Sequence, residues 1–359
     1  TRHSPLAPRH SPLTHPNQAI ITLSFVARQH RFESCPMSSQ DVSLPTGQFK
    51  DRSTGLMIYG LLQIAMGFLS ALMVPLVLVS LQLGPEASGG ATAAQMIPAA
   101  GLYAFIAVVL IWLGVGSLLA RRWARALTLV LAWMWLVMGV MVLVVFALIM
   151  PDLSKASTAQ GEQVPAQMLP FIYAIVFATM GCMYILLPAI FVVFYQRSDV
   201  KATCEAKDPK ERWTDRCPLP VLSLSLMLGF GASSVIWSAG YGFAVPFFGF
   251  ILKGLPGALM FLGFGLVFGY LAWATYKLRI SAWWVTLGAC LFFGLSTVVS
   301  FSRLSPLDLY RAMDYPDDQL KMMQDMGLLD LNIPMLTAVY MVVVIAYLIW
   351  VRRYWVQTA

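Results

Sequence analysis

The sequence predicts an all-α integral membrane protein: eight transmembrane helices arranged as two parallel four-helix repeats. Three observations predict it. Hydrophobic residues make up 58% of the 359 residues, charged residues only 11%, and mean hydropathy is +0.72. A soluble domain carries roughly 25% charged residues, so a water-facing surface could not be covered. Eight apolar stretches each reach about 20 residues, the length a helix needs to cross a bilayer, and every charge and every histidine falls outside them. Finally, the same punctuation marks recur in the two halves.

Residues 1–36 stand apart. The chain opens on Thr1, repeats His-Ser-Pro-Leu at 3–6 and 10–13, and holds all four histidines here (His3, His10, His15, His30). Its apolar run, Ala19 to Ala27, is broken by polar residues and followed by Arg28, His30 and Arg31 where a secretory signal has small residues at a cleavage site. This stretch is expected to be translated upstream sequence or a disordered extension, with Met37 opening the membrane protein and residues 37–54 forming its N-terminal segment.

Hydropathy places spans near 55–83, 99–120, 126–150 and 168–195, then 220–249, 256–276, 282–302 and 333–351. Pro75, Pro188 and Pro246 fall inside them, so kinks or tilt are expected. Fifteen basic residues lie on one side: Lys50, Arg52, Arg121, Arg122, Arg125, Arg197, Lys201, Lys207, Lys210, Arg212, Arg216, Lys277, Arg279, Arg352 and Arg353. The other side holds five: Lys155, Lys253, Arg303, Arg311 and Lys321. Basic residues in short loops stay cytoplasmic, which places both termini there. The same rule accounts for the net charge of +7 without nucleic acid as a partner.

The domain layout follows: a first repeat at 55–197, a cytoplasmic linker at 198–219, a second repeat at 220–353 and a tail at 354–359. The linker mixes its basic residues with Asp199, Glu205, Asp208, Glu211 and Asp215, and reads as solvated. The segment 304–332 is acidic, with Asp308, Asp314, Asp317, Asp318, Asp325 and Asp330. Asp317 can cap a short helix ending at Gly327, and Leu320, Met323 and Met326 give that helix an apolar side suited to lying on the outer surface.

Four marks suggest a duplication. Asp51-Arg52 precedes span one and Asp215-Arg216 precedes span five. Basic turns close spans two and six, at Arg121-Arg122 and Lys277-Leu278-Arg279. Pro151-Asp152-Leu153 follows span three and Pro306-Leu307-Asp308 follows span seven. Spans four and eight end in Phe194-Tyr195-Gln196-Arg197 and Ile349-Trp350-Val351-Arg352. Four-span units enter the membrane the same way, so the repeats are parallel.

The segment from Gly114 to Arg125, ending Arg121-Arg122-Trp123-Ala124-Arg125, resembles a turn of many uncharacterised bacterial four-span membrane proteins. There a glycine-containing second helix runs into a basic turn with a Trp-Ala-Arg core. The likeness covers about a dozen residues, and the second half departs from it with Ala282-Trp283-Trp284. It implies a bacterial inner-membrane location and carries no activity.

Beyond residue 36 there is no histidine, and no ionisable group lies mid-membrane, where proton and ion pathways need one. No phosphate loop, paired-cysteine site or nucleophile elbow is present. Neither a cofactor nor catalysis is therefore expected. Neutral polar residues remain. Gly60, Gln63, Gly67 and Ser70 share one face of span one, and Gly231, Ser234, Ser238 and Tyr241 share one face of span five at the same spacing. One shift along the chain superposes the two sets and carries Pro75 onto Pro246. These faces either glue the halves together or line a neutral cavity between them; Gly265-x-x-x-Gly269 in span six is read as a packing motif.

The first reading implies a non-catalytic structural or partner-binding role, with lipid, other membrane proteins or a second copy as partners. The second implies a transporter or channel for a neutral or lipophilic molecule. A third, weaker reading is a lipid-acting enzyme whose acidic segment 304–332 holds a metal.

Overall fold

The structure is a computed structural model that describes residues 50–83, 93–159, 168–325, 327, 329 and 331–356. The expectations for residues 1–36, Met326 and Asp330 fall on positions outside the described residues.

Among the described residues, eight helices are long and apolar enough to cross a membrane. They are Ser53–Leu83, Met96–Leu118, Arg122–Leu148, Pro170–Tyr195, Leu219–Tyr241, Leu255–Tyr276, Ile280–Phe301 and Ile333–Trp355, called spans one to eight. Most of their large apolar side chains face outward: Leu69, Val108, Leu266 and Val342 are each more than 60% exposed. That suits a surface solvated by lipid.

Adjacent spans pair closely, one with two, three with four, five with six, and seven with eight. Spans two and three bridge the halves, span two by packing on the turn Ala239–Tyr241 that ends span five and span three by packing on span five itself; span eight also touches span five. The apolar interior is correspondingly divided. One cluster gathers Leu56, Leu129, Phe191 and Tyr195 in the first half; another gathers Val221, Leu222, Trp283, Leu348 and Trp355 in the second.

Local chemistry accounts for the helix limits and irregularities. Asp51 accepts the Ser53 backbone N–H at the start of span one, and Asn332 accepts that of Met335 at the start of span eight, both at 3.0 Å. Span one runs unbroken through Pro75. Span four does not tolerate Pro188 so simply: a π-helical turn, Cys182–Leu186, precedes it. Pro188 lacks the N–H that the Tyr184 carbonyl would otherwise receive. That carbonyl lies against Gly139 of span three, where any Cβ would collide with it.

The expected span 220–249 is too long. Span five is broken at Ser233, ends in a 3-10 turn, Ala239–Tyr241, and reverses at Gly242 with φ +62°. A two-stranded antiparallel hairpin follows, Val245–Phe247 with Phe250–Leu252, so Pro246 sits in a strand and not in a helix kink. The turn residues Phe248 and Gly249 both have positive φ (47° and 90°), as a tight hairpin requires. Their N–H groups donate to the buried hydroxyls of Ser296 (3.3 Å) and Ser300 (3.1 Å) on span seven. The hairpin is nearly all apolar, which is why hydropathy merges it with the span.

Segment 304–332 folds into two short helices. Ser305 and Asp308 form a capping box on Pro306–Ala312, and the second helix, Asp317–Asp325, stops just before Gly327 (φ +68°). Leu320 is buried, and this helix packs on span three. Asp314 pairs with Lys253 at 2.7 Å.

Candidate functional site

The span-one face is fully engaged inside the first half. Gly60 and Gly67 are buried against span two: a Cβ on Gly60 would lie 2.8 Å from the Gly114 carbonyl, and one on Gly67 would lie 2.7 Å from Ile111 Cγ1. Gln63, 2% exposed, donates from Nε2 to Thr128 Oγ1 of span three (3.1 Å). Ser117 of span two donates to Gln63 Oε1 (3.3 Å), and the Tyr195 hydroxyl of span four donates to Ser117 Oγ (2.9 Å). One polar side chain from each of four spans thus closes a single buried network. Such groups, once mutually satisfied, leave nothing to line a path. Ser70, the last of the set, is half-buried.

The span-five set is placed differently. Gly231, Ser234, Ser238 and Tyr241 are half-buried; Ser238 donates to the Val235 carbonyl of its own helix, and Tyr241 stacks on Tyr315. Tyr315, outside the spans, has its hydroxyl pushed up to about 12 by burial and then by its tyrosine neighbours Tyr241 and Tyr310. Span one packs on span two, whereas span five packs on span six and, through its closing turn Ala239–Tyr241, on span two as well.

Backbone geometry suggests another correspondence. Spans two and six end in the same turn. Ala120 and Leu278 are both left-handed (φ 49° and 54°), and Arg121 and Arg279 donate back to Gly116 (2.9 Å) and Ala274 (3.0 Å). Matching Ala120 to Leu278 sets Ser117 on Thr275, Ala124 on Ala282 and Thr128 on Thr286, all buried. It also sets Gly114 on Ala272, whose carbonyl receives the Ser225 hydroxyl at 2.7 Å. Gly60 meets Gly114 as Ser225 meets Ala272, so superposing the two turns sets Gly60 level with Ser225. Gln63 then corresponds to Leu228, and the Thr275 and Thr286 hydroxyls, with no glutamine to join, have no partner among the described residues.

The linker is docked on one face and solvated on the other, not a free tether. Ser198–Lys207 is a helix packed on spans one, three and four, with Val200, Thr203 and Cys204 buried. Its acids match arginines at the span ends: Asp199 with Arg52 before span one (3.6 Å), and Asp208 with Arg121 (3.7 Å) and Asp215 with Arg122 (3.8 Å) in the basic turn. Asp208, 2% exposed, takes two hydrogen bonds from Arg212 (2.9 and 3.1 Å) and one from the Arg122 backbone N–H at the start of span three. Arg212 above all, with that N–H and Arg121, holds the Asp208 carboxyl below the usual range against its own burial. Burial pushes the Cys204 and Cys217 thiols up to about 11.

A lateral, apolar concavity lies in the second half. It measures about 700 Å³ and lies along span five, between Phe105 of span two, Trp273 and Tyr276 of span six, and Trp213 from the linker. Phe230, Ile236 and Phe105 remain exposed, so it opens sideways. Its hydroxyls are those of Ser225, Ser233 and Tyr276; Ser225 donates to Ala272, Ser233 to Phe230, and Tyr276 to Trp213. Hydrophobic and aromatic lining at this volume is typical of small-molecule sites. A second cavity of about 320 Å³, among Met141, Val142, Val145, Phe146 and Met180, is wholly apolar. Periodic small residues pointed to the span-one face, whereas the groove's signal was its aromatic residues Trp213, Trp237, Trp273 and Tyr276, scattered over three segments.

Among the described residues, no three histidine, cysteine or acidic side chains come together as a metal site. No family model, curated protein or solved structure matches the chain.

Proposed function

We propose that this multi-pass membrane protein is non-catalytic and acts by binding a partner within the membrane, through the groove on span five. The observation that carries this reading is the contrast between two sites. The polar side chains of the first four spans close on one another, while the concavity on span five is apolar and open sideways to lipid. Partners reached this way are lipids, other membrane proteins or a second copy; nucleic acid is not among them. The alternative, transport of a neutral or lipophilic molecule, needs a polar or open path through the bundle in place of the Gln63 network.

The architecture we favour is a parallel duplication, supported by the common pairing order of the spans and the matching turns at Ala120 and Leu278. The charge bias favours cytoplasmic termini, and the Trp123-Ala124-Arg125 turn favours a bacterial inner membrane.

Accessibility tests the closed core. In a Gln63→Cys protein the thiol is expected to resist a small water-soluble methanethiosulfonate, whereas reaction as fast as at an exposed loop position would favour transport. Topology is tested by an impermeant maleimide added to intact cells. Ser157→Cys is expected to label and Lys210→Cys is not; the reverse pattern would invert the chain. Ser88 falls outside the described residues, and native Cys204 is a silent reporter, being only 1% exposed with a thiol near 11.

A further inference from the structure

We propose that the groove on span five holds an anionic phospholipid, its acyl chain along the groove and its phosphate at the basic end. This rests on the binding role proposed above and names the ligand class.

Three features of the groove point there. Its span-five wall runs from Leu222 to Trp237 at helical spacing, about 22 Å at 1.5 Å per residue. That exceeds the roughly 15 Å that one leaflet contributes to the hydrocarbon core, so an acyl chain lies along it at full length. The wall is apolar and sideways-open, as an acyl chain entering from the bilayer requires.

The basic end supplies charge complementarity. Lys277 Nζ lies 5.9 Å from the centre of the Tyr276 ring, and the Arg279 guanidinium 4.5 Å from that of Trp273; both rings line the groove. Both cations are exposed, and among the described residues neither pairs with a carboxylate. Four of the five linker acids are engaged elsewhere, Asp199 with Arg52, Glu205 with Lys201, Asp208 with Arg212 and Arg121, Asp215 with Arg122; Glu211 is exposed and joins no ion pair among the described residues, Lys277 and Arg279 included. Two unneutralised cations therefore stand at headgroup level where the apolar channel ends, held over aromatic faces that fix their positions. A zwitterionic lipid would fill the groove equally well but leave this charge unanswered.

The test uses the full chain purified in neutral detergent and titrated with dioleoylphosphatidylglycerol or dioleoylphosphatidylcholine, bound lipid being counted by native mass spectrometry. Two cations at an anionic surface predict about a 30-fold preference for phosphatidylglycerol. The double variant Lys277→Gln/Arg279→Gln is expected to bring phosphatidylglycerol down to the phosphatidylcholine level and leave phosphatidylcholine unchanged. Gly229→Leu fills the groove and is expected to weaken both lipids by about tenfold; its Cβ has room, the nearest atom being Ala272 Cβ at 3.9 Å. If that variant fails to fold, Ile236→Trp at an exposed position of the same wall replaces it. Equal binding of the two lipids by the parent, or a preference that survives the double variant, overturns the proposal. If Gly229→Leu still weakens both lipids in that case, the groove survives as a binding site and only the anionic headgroup is lost. No effect of groove filling on either lipid overturns the groove reading as well.

Discussion

Gly67→Leu is expected to destabilise the first four spans far more than the loss of a polar side chain on the same face. Gly67 sits in the close approach of spans one and two, with Ile111 Cγ1 2.7 Å and the Ala107 carbonyl 3.1 Å from the position of an added Cβ. A leucine there forces the backbones apart along a contact that also includes Gly60 and Gly114. Without a hydrophobic driving force between helices in lipid, close packing is what holds such a pair, and overpacking of this kind costs about 3 kcal/mol. Gln63→Leu is the informative contrast. It keeps the volume and removes two hydrogen bonds, to Thr128 and from Ser117. In membranes such bonds average about 0.6 kcal/mol with a maximum near 1.7. Unfolding by SDS titration should therefore rank Gly67→Leu well below Gln63→Leu, and Gln63→Leu modestly below the parent. A Gly67→Leu protein as stable as the parent would mean that spans one and two do not meet at this glycine.

Asp208→Ala is expected to release the linker from the membrane unit. Its carboxylate is where Arg212, Arg121 and the first N–H of span three converge, and removing it leaves all three groups without their acceptor. Limited proteolysis at the basic residues of helix Ser198–Lys207 should accelerate by about tenfold, consistent with the loss of a charge-assisted hydrogen-bonded pair. Asp208→Asn should be intermediate. The pH dependence follows from the direction of the shift. A carboxyl held below its ordinary value of 3.8 contributes fully above that pH and loses its contribution only as pH falls below it. Linker docking should therefore be flat from pH 8 to about pH 5 and weaken in stronger acid. Cleavage rates that are equal in parent and variant would contradict the docked linker.

How much of this was legible in the sequence depended on the kind of signal. Long uninterrupted apolar runs forced seven of the eight spans to within a few residues. Span five failed because Val245, Phe247, Phe250 and Ile251 are as apolar in a hairpin as in a helix, and the decisive groups, the Ser296 and Ser300 hydroxyls that receive the turn, lie some fifty residues away. The linker misled for a related reason. Mixed charge is compatible with solvation, but here Asp199, Asp208 and Asp215 are complementary to arginines that sequence reasoning had assigned only to topology. The small-residue spacing in spans one and five offers one register between the halves, and backbone geometry offers another. Turn geometry at Ala120 and Leu278, which no composition reveals, aligns Gly60 with Ser225. The groove could not be seen at all, since its walls come from spans two, five and six and from Trp213.

Spin labelling of the groove tests the central claim most directly. Nitroxides attached at cysteines replacing Gly229 and Ile236, in full-length protein reconstituted in bilayers, report collision with oxygen, which concentrates in lipid, and with a water-soluble nickel chelate. A groove open to lipid, beside a bundle closed by the Gln63 network, predicts high oxygen and low nickel accessibility at both positions. High nickel accessibility at Gly229 would mean that water fills this space, and would contradict a lipid-facing binding groove in favour of an aqueous path.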